Sequence, residues 1–176
     1  GSAVGMDKDV AKRLLRDAGI GIAPFETIHR HERESVKYRA LVKVLGKTLF
    51  VKPANAGSSV GVSKTQSESE FFVALDEAFR FDTKVLVEAA ILGREIEVAV
   101  MGNEIPEASI AGEVMPAEAF YSYDAKYAAT SQSVVEIPEK LSKAEMKTIR
   151  EVSVYAYKVL GLEGMSRVDF FYTDDG

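Results

Sequence analysis

Cysteine and tryptophan are absent from this 176-residue chain, and histidine occurs only at His29 and His31. Without cysteine there is no disulfide, no thiolate zinc site and no cysteine nucleophile. Two histidines are too few for a histidine-rich metal site. Long apolar runs are missing too. The longest stretch without a charge is Pro53 to Ser63, 11 residues rich in glycine and serine. A membrane helix needs roughly 20 apolar residues. The opening residues show no basic segment followed by an apolar core, and the expectation is a cytoplasmic protein. Basic residues number 22 against 27 acidic ones, a net charge of −5. That balance argues against a broadly basic, non-specific nucleic-acid binder, while leaving room for a local basic pocket. With 47% apolar and 28% charged residues, the chain has the composition of a folded globular protein rather than a disordered one.

What is present reads as alternating helices and strands. Asp7 is placed to cap a helix whose Val10, Leu14 and Leu15 recur at helical spacing, closed by Gly19. A short strand from Pro24 to Ile28 and a second helix from Glu32 to Leu45 follow. Thr48 to Lys52 is a strand that runs into the loop Pro53 to Gly61. Ser67 caps a third helix, with Glu70 as capping-box partner and Phe71, Phe72, Leu75 and Phe79 on one side. Beyond Asp82 the texture turns to strands. Lys84 to Glu88 is one. Glu95 to Met101 alternates cleanly, with Ile96, Val98 and Val100 on one face and Glu95 and Glu97 on the other. Ile105 to Gly112 returns after a Gly102-Asn103 turn. Glu113 to Val134 lacks a period and is long for a plain connection, which suits a functional loop. Ser142 caps a long helix to Leu160, and Met165 to Tyr172 is the last strand. The expectation is an α+β fold with two subdomains, residues 1–82 and 83–176, the second containing a lid at 113–134. Asp174-Asp175-Gly176 reads as a hairpin turn whose returning strand is absent, which predicts a fragment.

Several residues suit chemistry. Lys52 ends a strand, and the loop behind it holds two glycines and two serines, able to ring an anion with backbone N–H groups and hydroxyls. It is not a Walker loop. Gly57-Ser58-Ser59-Val60-Gly61 also fits the G-x-S-x-G elbow of serine hydrolases, with Ser59 as nucleophile. Both histidines precede Ser59, against the chain order that elbow needs. Glu88 and Glu95 are placed to accept from an amino group or ribose hydroxyls, and Glu97 reads more as a solvated hairpin position. Tyr121 to Tyr127 (YSYDAKY) suits a lid. Arg167 and Asp169 share a strand face, where an Asp can hold a hard cation and an Arg a developing oxyanion. An ion pair between the two is the competing reading.

In this order the stretches MDKDVAKRLLRDAG (6–19), LFVKPANAGSSVGV (49–62), VLVEAAILGREIEVAV (85–100), FYSYDAKY (120–127) and GLEGMSRVDFF (161–171) resemble the D-alanine–D-alanine ligases of the ATP-grasp superfamily. The resemblance implies an ATP-grasp fold of two α+β subdomains that grip ATP. It implies phosphate contacts for Lys8, Lys52 and Lys126, with Ser58 and Ser59 on the loop over the phosphates and Tyr127 closing the lid through Ser58. Glu88 would meet the adenine amino group, backbone at Ala89 and Ile91 the rest of the adenine, and Glu95 the ribose. Arg167 would stabilise the tetrahedral intermediate, and Asp169 would bind Mg2+, with Mn2+ an alternative. Position 89 is Ala where some relatives carry Lys, and a main-chain contact survives that change.

The same resemblance implies an ATP-dependent ligase that makes D-alanyl-D-alanine for peptidoglycan through an acyl phosphate. D-Alanine is its substrate, the whole protein is a homodimer, and neither nucleic acid nor membrane is a partner. Ligases joining D-alanine to D-lactate or D-serine are the nearest alternative, and Tyr127 favours D-alanine. A more distant alternative is a non-catalytic nucleotide-binding module, against which Lys52, Arg167 and Asp169 count. An N-terminal α/β domain and a strand with further Mg2+ ligands are family parts not found here, so the chain by itself is expected to bind nucleotide at most.

Overall fold

A computed structural model describes residues 1–115, 134–138 and 141–174 of the chain. Two antiparallel sheets organise it. In the first, β1 (Phe25–His29), β2 (Leu49–Pro53), β3 (Ser63–Thr65) and β4 (Lys84–Ala89) lie in the order β1-β4-β2-β3. Alternation sorts the two faces of this sheet. Leu49, Val51, Val85 and Val87 turn to one side and pack with Phe71, Leu75 and Phe79 of the helix Glu68–Phe81 and with Leu45 of the helix Tyr38–Leu45. The register sets Phe50 opposite Glu88 and Lys52 opposite Leu86, so these four residues share the other face.

That second face meets the helix Lys8–Asp17, which follows the short helix Ser2–Met6. In chain order the helices are α1 (Ser2–Met6), α2 (Lys8–Asp17), α3 (Tyr38–Leu45), α4 (Glu68–Phe81) and α5 (Lys143–Val159). Asp7 caps α2, accepting from the N–H groups of Asp9 (3.1 Å) and Val10 (3.2 Å). The apolar spacing points to docking through Val10 and Leu14, but both are exposed, and Asp9 and Ala11 are the buried residues. Charge docks this helix instead. Asp9 accepts from Thr27 Oγ1 of β1 (2.9 Å), and Lys84 Nζ of β4 bridges Asp7 (2.6 Å) and Asp9 (3.4 Å).

The second sheet centres on β5 (Arg94–Met101), flanked by β9 (Met165–Tyr172) on one side and by β6 (Glu107–Ala108) and β7 (Gly112–Met115) on the other, with β8 (Val134–Glu136) paired to β7. Its apolar face, Ile96, Val98 and Val100 with Val168 and Phe170, packs against Ile149 and Tyr157 of α5. Ser142 and Glu145 form a full capping box at the start of α5.

Four local expectations are corrected. The helix over Glu32–Leu45 is broken into a 3-10 turn, Arg30–Ser35, and α3. Ser35 Oγ donates to the Glu32 carbonyl, and Glu32 turns back to accept from His29 N–H, so the side chains compete with helix continuation. The Ile105–Gly112 return pairs with β5 at Glu107–Ala108 and again from Gly112, interrupted where Ser109 Oγ takes the N–H of Ala99 in place of a backbone acceptor. At the start of α4, Glu70 reaches the N–H of Gln66 rather than that of Ser67, leaving half a capping box. Within 113–134, Glu113 to Met115 are strand, and 116–133 lie outside the described residues. The change of sheet also falls later than residue 82. β4 pairs with both β1 and β2, so the second sheet begins at Arg94.

Candidate functional site

Lys8 and Lys12 stand one turn apart on α2 and so share a face. That face meets the polar side of the first sheet, where β2 brings Lys52 and β4 brings Glu88. Lys52 Nζ lies 2.5 Å from Glu88 Oε2, and Lys12 Nζ lies 3.0 Å from Oε1. Glu88 is only 6% exposed. Burial pushes its carboxyl up, but Lys52 and Lys12 outweigh burial and hold it below the ordinary value. Lys8 and Lys12 are themselves held below the usual lysine value by burial and by repulsion from Lys52. Three cations thus face one carboxylate, a pocket ready for an anion within a chain of net negative charge. Oε1 of Glu88 is buried, and the contact it makes is the 3.0 Å ion pair with Lys12 Nζ. A buried carboxylate oxygen in that state suits a further donor.

The loop after Lys52 is tied to this cluster. Lys8 N–H donates to Ala54 O (3.0 Å), and Lys8 Nζ donates to the carbonyls of Ala54 (3.3 Å) and Ala56. Ser58 and Ser59 both take positive φ, 52° and 61°, and Gly61 takes 67°. Two successive left-handed serines are uncommon and cost conformational energy. At Gly61 a Cβ would stand 2.8 Å from Phe81 Cδ2 and 2.9 Å from Pro53 Cγ. Glycine is therefore required there twice over, by φ and by space. The loop leads into strand β3 rather than a helix. That removes the strand-turn-helix context a Ser59 nucleophile would need.

A second cluster lies on the second sheet, on the face away from α5. Arg167 donates from Nε to Asp169 Oδ1 (2.7 Å) and from Nη2 to Oδ2 (2.9 Å), and its Nη1 is 3.0 Å from Glu97 Oε2. Glu95 shares this face, two residues from Glu97 and opposite Phe171 in the register.

The sequence-predicted residues thus fall into two groups. Lys8, Lys52 and Glu88 gather with the loop of Ser58 and Ser59 on the first sheet. Arg167 and Asp169 gather on the second, with Glu95 on the same face. Ala89 ends β4, where its N–H donates to Pro24 O (2.9 Å), and Ile91 lies on the short link between the sheets. Lys126 and Tyr127 lie outside the described residues. Two members were missed. Lys12 is signalled only by its four-residue spacing from Lys8, and Glu97 only by facing Asp169 across the sheet.

Two antiparallel α+β layers, linked by the strand end that carries Glu88, form an ATP-grasp fold. The chain belongs to the D-alanine–D-alanine ligase family: residues 14–176 match the family described as "D-ala D-ala ligase C-terminus". It is 50% identical over 175 residues to a D-alanine–D-alanine ligase of Oceanobacillus iheyensis, covering 99% of this chain and 48% of that protein. It is 51% identical over 174 residues to D-alanine–D-alanine ligase A of Escherichia coli K12, with the same coverage of 99% and 48%. Among solved structures it resembles the VanG D-Ala:D-Ser ligase of Enterococcus faecalis, with a TM-score of 0.87 and 36% identity over 99% of this chain and 50% of that one. The D-alanine–D-alanine ligase of Coxiella burnetii superposes with a TM-score of 0.80 at 35% identity, over 99% and 45% of the two chains. The chain spans about half the length of the curated relatives it matches.

Proposed function

We propose that this chain is the ATP-binding part of an ATP-dependent ligase that joins two D-alanines into D-alanyl-D-alanine for peptidoglycan in the cytoplasm, the whole protein acting as a homodimer. The observation that carries this reading is the buried Glu88 carboxylate. Lysines flank it, its buried Oε1 meets a single cation and keeps a lone pair for a further donor, and it sits at the end of the strand that leads to the second sheet. An adenine amino group is a donor that fits that oxygen, with backbone at Ala89 and Ile91 beside it. Phosphates then fall to Lys8 and Lys52, with Lys12 adding charge, and to the loop of Ser58 and Ser59. Glu95 takes ribose hydroxyls. Lys126 and Tyr127 belong to a lid that excludes water.

ATP supplies the phosphoryl group that makes a D-alanine carboxylate reactive toward a second D-alanine amine, and Mg2+ or Mn2+ disperses the charge. Carboxylate and triphosphate are both anions, so the lysines and Arg167 offset their repulsion. Arg167 then faces the oxyanion formed when the second amine attacks. Among the described residues no three metal-ligating side chains converge. Asp169 offers one carboxylate, which suits a cation whose other ligands are phosphate oxygens and water. D-Serine as second substrate is the nearer rival, supported by the likeness to the VanG ligase, but the 50–51% identity to D-alanine–D-alanine ligases favours D-alanine.

Base choice tests the reading. Guanine presents an oxygen where adenine presents its amino group, and the Glu88 carboxylate repels it. Titration calorimetry should give ATP binding at least about tenfold tighter than GTP, one misplaced polar contact being worth about 1.4 kcal/mol or more. Equal affinities contradict the adenine assignment of Glu88.

A further inference from the structure

Glu97 has no part in the nucleotide contacts above, yet its side chain is only 21% exposed. Its partner across β7 is Gly112, and its Cγ stands 3.7 Å from where a Cβ at 112 would lie. The missing side chain at Gly112 makes room for Val135, whose Cγ1 would stand 2.6 Å from that Cβ, and leaves the Glu97 stem in ordinary contact. Across β9 the register sets Glu97 directly opposite Asp169, and Arg167 lies on the diagonal. The guanidinium is divided between the two acids. Nε and Nη2 form a fork on Asp169, and Nη1 meets Glu97 at 3.0 Å. One positive charge thus stands between two negative ones.

This arrangement creates a conflict that Glu97 resolves. A carboxylate given to a divalent cation cannot keep a bidentate fork from an arginine on the same oxygens. Cation binding at Asp169 costs Arg167 that fork when it is needed to face an oxyanion, and the contact with Glu97 survives it. We infer that Glu97 is a positioning residue that holds Arg167 on the sheet when Asp169 turns its carboxylate to a cation. The role rests on the proposal that Asp169 is a cation ligand. It also gives the cluster a charge logic. Arg167 with two carboxylates carries −1, which attracts a cation, and a divalent cation turns the cluster to +1, which suits an oxyanion.

The guanidinium N–H signals of the 15N-labelled chain test this, with Arg167 assigned by their loss in Arg167→Lys. Asp169→Asn stands in for a carboxylate that has been given up. The Arg167 signal should stay slow in exchange in Asp169→Asn and in Glu97→Gln, and exchange several-fold faster in the double variant. Exchange as fast in Asp169→Asn as in the double variant, or unchanged exchange in the double variant, overturns the role of Glu97. Mn2+ titration with ATP present gives the second readout. Glu97→Gln should raise the Mn2+ midpoint several-fold, because Arg167 then leans more heavily on Asp169, and should have no effect in an Arg167→Ala background. A shift that survives in that background makes Glu97 a cation ligand and overturns the inference. No Mn2+ response in the unsubstituted chain instead overturns the cation reading of Asp169, a different failure from loss of the Arg167 signal.

Discussion

Glu88 is where the largest forces at the level of single residues meet. It is buried, its carboxyl is held below the usual value despite burial, and two half-buried lysines depend on it. Glu88→Gln keeps the volume but leaves Lys12 and Lys52 without a counter-charge. We expect a loss of about 3 kcal/mol at neutral pH, the low end for breaking a buried pair, since both lysines keep some access to water. Urea melts of both forms measure it. The sign with pH is fixed. A depressed carboxyl stabilises the fold above its unfolded value of 4.5, and that contribution is lost as pH falls through the folded value. The gap between wild type and variant should therefore close on acidification. Lys8 and Lys12 work in the opposite range. Their lowered values mean that folding disfavours their charge, so their cost to stability fades as pH rises toward 10.5. Phosphate needs them charged. Stabilisation by ATP should accordingly shrink on the alkaline side before 10.5 is reached, and should be flatter with pH in a Lys8→Met/Lys12→Met variant. An ATP effect that is constant up to that pH contradicts their phosphate role.

At the scale of elements, the loop between β2 and β3 is the most constrained piece. Gly61→Ala would add both a strained φ and a contact of 2.8 Å with the Phe81 ring. Gly19→Ala would add only the φ, because nothing lies within 4 Å of its Cβ position. The first should cost about 2–3 kcal/mol and the second about 1 kcal/mol, read from denaturant midpoints. Equal costs would mean that the loop relaxes freely around Phe81. Strand boundaries were largely legible from the sequence, since alternation in TLFVK, KVLVE and EIEVAVM translates directly into one buried and one polar face. α2 was misread. Val10 and Leu14 spell an apolar stripe, but the surface the helix meets offers Thr27 and Lys84, so Asp9 is buried instead. A pattern within one helix carries no information about the partner face. The same limit hid Lys12, which has the sequence signature of a solvated lysine, and Glu97, whose role appears only once β9 is set beside β5.

Across the whole molecule, α2 ties the first sheet to α5. Through Asp7 and Asp9 it is fixed to Lys84 on the first sheet, and through Ala18 O it accepts from Tyr155 Oη of α5 (3.2 Å). It thereby sets Lys8 and Lys12 over Lys52 and Glu88, and the chain's few convergent cations end up in one pocket. That convergence, rather than overall charge, is the basis for proposing that this half-length member of the ligase family grips ATP. The most direct test is a thermal melt with and without Mg-ATP, run beside Lys52→Ala and a control at a lysine outside the cluster, Lys47→Ala. Ligand at 100 times its Kd should add about 2.7 kcal/mol, which for a chain of this size is a rise in Tm of roughly 5–10 °C. The account predicts that rise in the unsubstituted chain and in Lys47→Ala, and its loss in Lys52→Ala. No rise in the unsubstituted chain, or an undiminished one in Lys52→Ala, would contradict it.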